Sequence, residues 1–166
     1  MIDLAFVVDS SGSIRDNSYA GVDNWQLVQM FIKNIVNGSA IRYGKYLDHV
    51  AIVEFSDFAT TYFDFTKSAT TSLSGMLTLI DNMPFLGSET NTPAGLRLGR
   101  ALFENPALGS RPNAVHMMIL LTDGRTNREV PNLIPEITAL NNSAAKIIRY
   151  GEIFCYSTTC AVFWLA

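Results

Sequence analysis

The chain has 166 residues, enough for one ordinary domain and too few for two comfortable ones. With 48% hydrophobic and 16% charged residues it falls in the globular class, far from disordered chains. A net charge of -3 with no Lys/Arg run excludes the basic footprint of a nucleic-acid binder, and no apolar stretch approaches the ~20 residues of a membrane span.

In chain order, Leu4-Ala5-Phe6-Val7-Val8 is a short continuous apolar run and reads as a strand buried on both faces. Asn24 to Val36 carries Trp25, Val28, Phe31, Ile32 and Ile35 at helical spacing, with Gly38 as a stop. Val50 to Phe55 is the next strand, Ser56-Asp57 turns the chain, and Thr60 to Phe65 returns as an antiparallel hairpin partner. Asp57 and Asp64, which flank the hairpin, are expected to make turn contacts. Ser72 to Ile80 and Pro93 to Phe103 read as helices, the second with Thr92 as its cap and Pro93 at its first position. Val115 to Leu121 is the strongest strand, Ile134 to Ile148 a helix, and Ile153 to Tyr156 a weak last strand.

Apolar strands alternating with helices predict an α/β fold: a doubly wound, mostly parallel sheet with one antiparallel edge strand and helices on both faces. The whole chain, residues 1–166, reads as a single domain with no internal linker. Cys155 and Cys160 make neither a disulfide framework nor, without nearby His, a structural zinc site; they read as partly buried thiols. His49 and His116 each stand alone and read as packing or surface residues. The triplets at Asn37 and Asn141 fit the glycosylation pattern Asn-x-Ser, which matters only for a secreted chain.

In open α/β sheets ligands sit beyond the carboxyl ends of the strands, where strand order reverses. Asp9-Ser10-Ser11-Gly12-Ser13 follows the first strand, Thr122-Asp123-Gly124 follows the strongest one, and Gly87 to Thr92 lies between the middle helices. Asp9, Ser11, Ser13, Thr90 and Asp123 offer two carboxylates and three hydroxyls. Such hard oxygens suit Mg2+, or Mn2+ or Ca2+, rather than zinc or copper. Residues 9, 11 and 13 alternate, so a curved loop aims all three inward, and Gly12 and Gly124 are read as sites of close backbone approach. Neutral hydroxyl ligands leave the ion a net positive charge, which suits a site that attracts an anion.

Phe6 to Ile14, with its Asp-x-Ser-x-Ser pattern at residues 9, 11 and 13, resembles the signature of von Willebrand factor type A domains. Thr90 to Leu96 and Leu121 to Gly124 are similar to the family's second and third metal loops, in family order, and the resemblance spans residues 3 to 150. It implies six strands in the sheet, a metal-ion-dependent adhesion site and no enzymatic activity. Ser11 and Ser13 bind the metal directly, Thr90 joins them in the ligand-engaged state, and Asp9 and Asp123 act through bound water or as outer acceptors. A Glu or Asp of a protein partner fills the open position. The wording around the motifs looks most like the matrilin and type VI collagen kind, which implies an extracellular setting and collagen or another matrix protein as the partner.

Two places depart from the family pattern. The strand and final helix expected after residue 150 are replaced by Gly151 to Ala166, an atypical apolar ending; the expectation is a truncated C-terminus and, with no signal peptide at the N-terminus, a fragment. Pro93 stands where relatives often have Gly, which a first helical turn tolerates. Two other functions compete with adhesion. One is an Mg2+-dependent phosphoryl hydrolase with Asp9 as nucleophile, weakened by the lack of a lysine near the loops, where Arg15 and Arg125 are the nearby cations. The other is a structural assembly domain that binds metal weakly.

Overall fold

The computed structural model describes residues 1–16, 21–39, 41–124, 126–143, 153–154 and 161–165. Six strands form one sheet: β1 (Ile2–Asp9), β2 (His49–Phe55), β3 (Ala59–Phe63), β4 (Val115–Thr122), β5 (Ile153–Phe154) and β6 (Ala161–Leu165), in the order β3-β2-β1-β4-β6-β5. β1 pairs in parallel with β2 on one side and β4 on the other. Strand order therefore reverses at β1, and the crevice lies beyond Asp9 and Thr122.

The helices are α1 (Gly12–Asp16), α2 (Asn24–Val36), α3 (Phe65–Ser68), α4 (Leu73–Asp81), α5 (Thr92–Glu104) and α6 (Leu133–Asn142). Alternate residues of the central strands divide the core in two. Leu4, Phe6, Val8, Val50, Ile52, Ile119 and Leu121 pack with Trp25 and Ile32 of α2 and Met76 and Ile80 of α4. Ala5, Val7, Ala51, Val53, Phe55, Met118 and Leu120 pack with Leu96, Leu102 and Phe103 of α5 and Leu140 of α6. Covering both faces is what demands the unbroken apolar runs of β1 and β4.

α5 lies unusually close to the sheet. A Cβ placed at Gly95 would stand 2.6 Å from Phe55 Cδ1, and one at Gly99 2.6 Å from Val7 Cγ2. These two glycines are where α5 requires close approach to the sheet, whereas Gly12 and Gly124 do not require it. A Cβ at Gly12 would meet its nearest atom at 3.6 Å and one at Gly124 at 4.0 Å, ordinary contacts.

Several boundaries differ from expectation. The hairpin partner ends at Phe63, because Asp64 caps α3: its Oδ1 accepts from Lys67 N at 2.9 Å and Thr66 Oγ1 at 2.6 Å. α5 is capped by Asn91 rather than Thr92, with Asn91 Oδ1 accepting from Ala94 N at 3.1 Å. Ser13, expected on a loop, lies in the first turn of α1. β3 is the antiparallel edge strand the hairpin predicts. A second antiparallel strand was not expected: Ala161–Leu165, read as an atypical tail, pairs with β4 and satisfies the ladder on its open side. The predicted last helix is observed from Leu133 to Asn142, and its residues 144–148 lie outside the described residues, as do Cys155, Tyr156 and Cys160.

Both histidines are structural. His116 stacks on Phe103 with centroids 5.0 Å apart, and His49 is buried with Nε2 3.1 Å from Lys45 O. No helix among the described residues is long and apolar enough to cross a membrane.

Candidate metal centre

Asp9 ends β1 and is fully buried. Its Oδ1 accepts from the backbone N of Ser11 at 2.9 Å, a local turn that a short acidic side chain makes readily. Its Oδ2 accepts the hydroxyl of Thr122 at 2.6 Å, from the end of β4. The parallel register that pairs Val8 with Leu121 carries the next residues, Asp9 and Thr122, to the same rim.

Beside Asp9 runs a row of oxygens. Ser11 Oγ lies 3.1 Å from Ser13 Oγ, and Ser13 Oγ donates to Asp123 Oδ1 at 2.8 Å. Four of the five expected ligands, Asp9, Ser11, Ser13 and Asp123, thus belong to one hydrogen-bonded cluster. Burial is the largest influence on Asp9 and raises its pKa; the bonds from Ser11 and Thr122 oppose the rise and the charge of Asp123 adds to it.

Thr90 arrives on a separate loop that is tied to the first. Gly12 N donates to Ser88 O at 2.8 Å, and Gly87 N donates to Ser10 O at 2.8 Å. Gly87 has φ 67, which suits glycine. The Thr90 backbone is held on its other side: its N donates to Asn127 Oδ1 at 2.8 Å, and its O accepts from Asn127 N at 3.0 Å and Thr126 Oγ1 at 2.9 Å. Among the described residues, the Thr90 hydroxyl makes no hydrogen bond with the other four. It is the expected ligand that stands apart.

The residues fit a hard divalent cation. The donors are all oxygen, the charge of Asp123 disfavours that of Asp9, and a cation between them would relieve that repulsion. No cluster of three or more His, Cys, Asp or Glu residues exists among the described residues, so a soft-metal site of thiolates and imidazoles is not on offer there. Asp9 is poorly presented as a nucleophile, being fully buried with both oxygens engaged. Arg15 is paired with Asp23 at 3.2 Å and lies over the Phe85 ring at 4.2 Å; Arg125 lies outside the described residues.

The loop reading missed the supports of the site. Thr122 adjoins Asp123 in sequence, but only the parallel register shows that it bonds Asp9. Asn127 and Thr126 were not singled out, because a clamp on a backbone 36 residues away leaves no local pattern. Asp57, expected to serve its own turn, instead accepts from Ser88 Oγ at 2.8 Å and Glu89 N at 3.3 Å.

A doubly wound sheet with a hard-oxygen cluster on the loops at its switch point defines a class, that of open α/β modules with an oxygen-lined rim. The family model described as von Willebrand factor type A domain matches residues 3–151, and the chain belongs to that family. It is 35% identical over 155 residues to the human collagen alpha-6(VI) chain, covering 93% of this chain and 6% of the relative. It is 25% identical over 149 residues to mouse integrin alpha-X, covering 90% of this chain and 12% of the relative. The chain thus spans a small part of the relatives it matches. Among solved structures, proximal thread matrix protein 1 from the mussel byssus with zinc occupied MIDAS motif matches with TM-score 0.69 and 26% identity, over 84% of this chain and 34% of that one. A second crystal form of that protein matches with TM-score 0.71 and 25% identity, over the same shares of the two chains.

Proposed function

We propose that this chain is a divalent-cation-dependent adhesion domain of an extracellular matrix protein. Ser11 and Ser13 hold the ion, Mg2+ in preference to Mn2+ or Ca2+, through their hydroxyls. Asp9 and Asp123 act through bound water or as acceptors around it, and Thr90 adds its hydroxyl when a partner engages. The ion, when bound, supplies a positive centre that takes a carboxylate from a protein ligand, an Asp or Glu of collagen or another matrix component. The observation that carries the reading is the continuous row from Ser11 through Ser13 to Asp123, with Thr90 on the adjoining loop that is bonded to Ser10 and Gly12. Similarity to collagen chains and to an integrin supports an extracellular place, and similarity to a protein with a zinc-occupied site supports metal binding. No part of the reading calls for catalysis.

Thermal unfolding against Mg2+ tests the metal, beside the Asp123→Ala variant. A ligand that binds only the folded state adds ~2.7 kcal/mol of stability at a hundredfold excess over Kd. The wild-type melting temperature is expected to rise and that of the variant to stay flat. Equal responses, or none, reject the metal assignment. Capture on immobilised matrix proteins that is lost with EDTA then tests adhesion; capture indifferent to EDTA points instead to a structural assembly domain.

A further inference from the structure

Resting on that reading, we infer that Phe58 forms an accessory subsite beside the metal loops. It takes an apolar side chain of the same extended protein segment whose carboxylate reaches the ion.

Phe58 sits at the tip of the turn between β2 and β3 and is 78% exposed, the largest exposure of any large hydrophobic residue among the described residues. Scattered apolar residues on a surface are ordinary, and Tyr46 and Ile134 are exposed in that way. Phe58 differs in what holds it. Ser56 N donates to Phe58 O at 3.0 Å, closing the turn. The turn is then bonded to the loop that carries Thr90. Ser56 Oγ donates to Glu89 O at 2.9 Å, Asn91 N donates to Ser56 O at 2.9 Å, and Asn91 Nδ2 donates to Asp57 O at 3.0 Å. Asp57 further accepts from Ser88 Oγ and Glu89 N. The turn that carries Phe58 is therefore fixed to the loop of Thr90 through Ser56 and Asp57, on its β2 side.

A turn backbone so held gives up little freedom when the ring it carries is covered, which favours binding. Its surroundings are polar: Arg128 Nε lies 2.6 Å from Glu89 Oε2 and 3.9 Å from Asp57 Oδ1. One aromatic residue within a charged rim is the composition of an interface hot spot. The reach is also suitable. One peptide step from Phe58 to Asp57, a hydrogen bond from Asn91 Nδ2 and one step to Thr90 put Phe58 on the same rim as Thr90, a few extended residues away.

The test is selection of displayed twelve-residue peptides carrying a fixed central Glu on the whole chain in Mg2+, with elution by EDTA. Enrichment of an apolar or aromatic residue within four positions on one side of Glu is expected. The Phe58→Ser variant should lose that preference and bind the enriched peptides about tenfold more weakly. Thermal unfolding of both proteins with Mg2+ reads the metal site separately. Mg2+-dependent peptides with no such preference, or a preference that Phe58→Ser retains, overturn the subsite and leave the metal reading standing. If no peptide elutes with EDTA and Mg2+ does not shift unfolding, both fall.

Discussion

Thr122 and Asp9, 113 residues apart in sequence, are joined by a 2.6 Å hydrogen bond at the ends of adjacent parallel strands. The bond occupies the carboxylate oxygen that the turn to Ser11 leaves free. It fixes the orientation of Asp9 from behind, as outer partners of metal ligands do. Thr122→Val keeps the shape and removes the donor, leaving a buried acceptor unpaired. Stability without metal should fall by about 1–3 kcal/mol. Mg2+ affinity should fall by roughly 10–100-fold. Urea unfolding with and without Mg2+ measures both, and an unchanged midpoint in each condition would contradict the role.

Glu54 lies on β2 within the α2 and α4 face of the core, is 1% exposed, and its Oε1 has no hydrogen-bond partner. Burial alone raises its pKa from 4.5 to about 7. The folded state therefore holds this proton more tightly than the unfolded chain does. The stability linked to Glu54 is fully present below about pH 4.5 and is lost as pH rises through about 7, a loss of ~3 kcal/mol. Glu54→Gln cannot ionise. Denaturant midpoints of the two proteins should separate between about pH 5 and 7, with the wild type falling relative to the variant. Parallel curves would show that Glu54 does not titrate there.

Gly99 faces Val7 and Met118, where an added Cβ would stand 2.6 Å from Val7 Cγ2 and 2.8 Å from Met118 Cε. In an exposed helix, Gly→Ala stabilises by lowering unfolded-chain entropy. Here overpacking opposes that gain and should win, at about 1–3 kcal/mol. Chemical denaturation of Gly99→Ala checks the sign: a more stable variant would mean that α5 moves away from the sheet without strain.

Asp3 is fully buried at the other end of β1. It accepts from Arg111 N at 2.8 Å, Nε at 2.9 Å and Nη2 at 2.5 Å. Arg111 also donates to Leu47 O at 2.7 Å and Ile2 O at 2.9 Å, and so clasps three segments. Removing one member of such a pair strands a buried charge and costs about 3–5 kcal/mol. Arg111→Ala should lower the unfolding free energy by that order and leave Mg2+ affinity intact, since the clasp stands at the pole opposite the metal loops. A loss below about 1 kcal/mol, the range of exposed pairs, would show that water reaches Asp3.

Much of this protein was readable in the chain. The apolar runs of β1, β2 and β4 and the helical spacing in α2 and α5 each report the periodicity of one element, and that is local information. Asp9, Ser11 and Ser13 were legible for the same reason, being one stretch of chain beyond one strand. The placing of ligands beyond the carboxyl ends of the strands in open α/β sheets joined that stretch to Thr90 and Asp123, and the resemblance to a family came after. What the chain did not disclose depends on distant partners. Asp64 ended β3 early by capping α3, and β4 recruited Ala161–Leu165 as an antiparallel neighbour. Thr122 became the partner of Asp9 only through the register of β1 with β4. Gly95 and Gly99 matter for the packing of α5, because the distance of α5 from the sheet, not the sequence around a glycine, decides whether a Cβ fits. Periodicity and turn chemistry are properties of neighbouring residues; register, burial and the anchoring of Thr90 and Phe58 arise only when segments far apart in the chain are brought into contact.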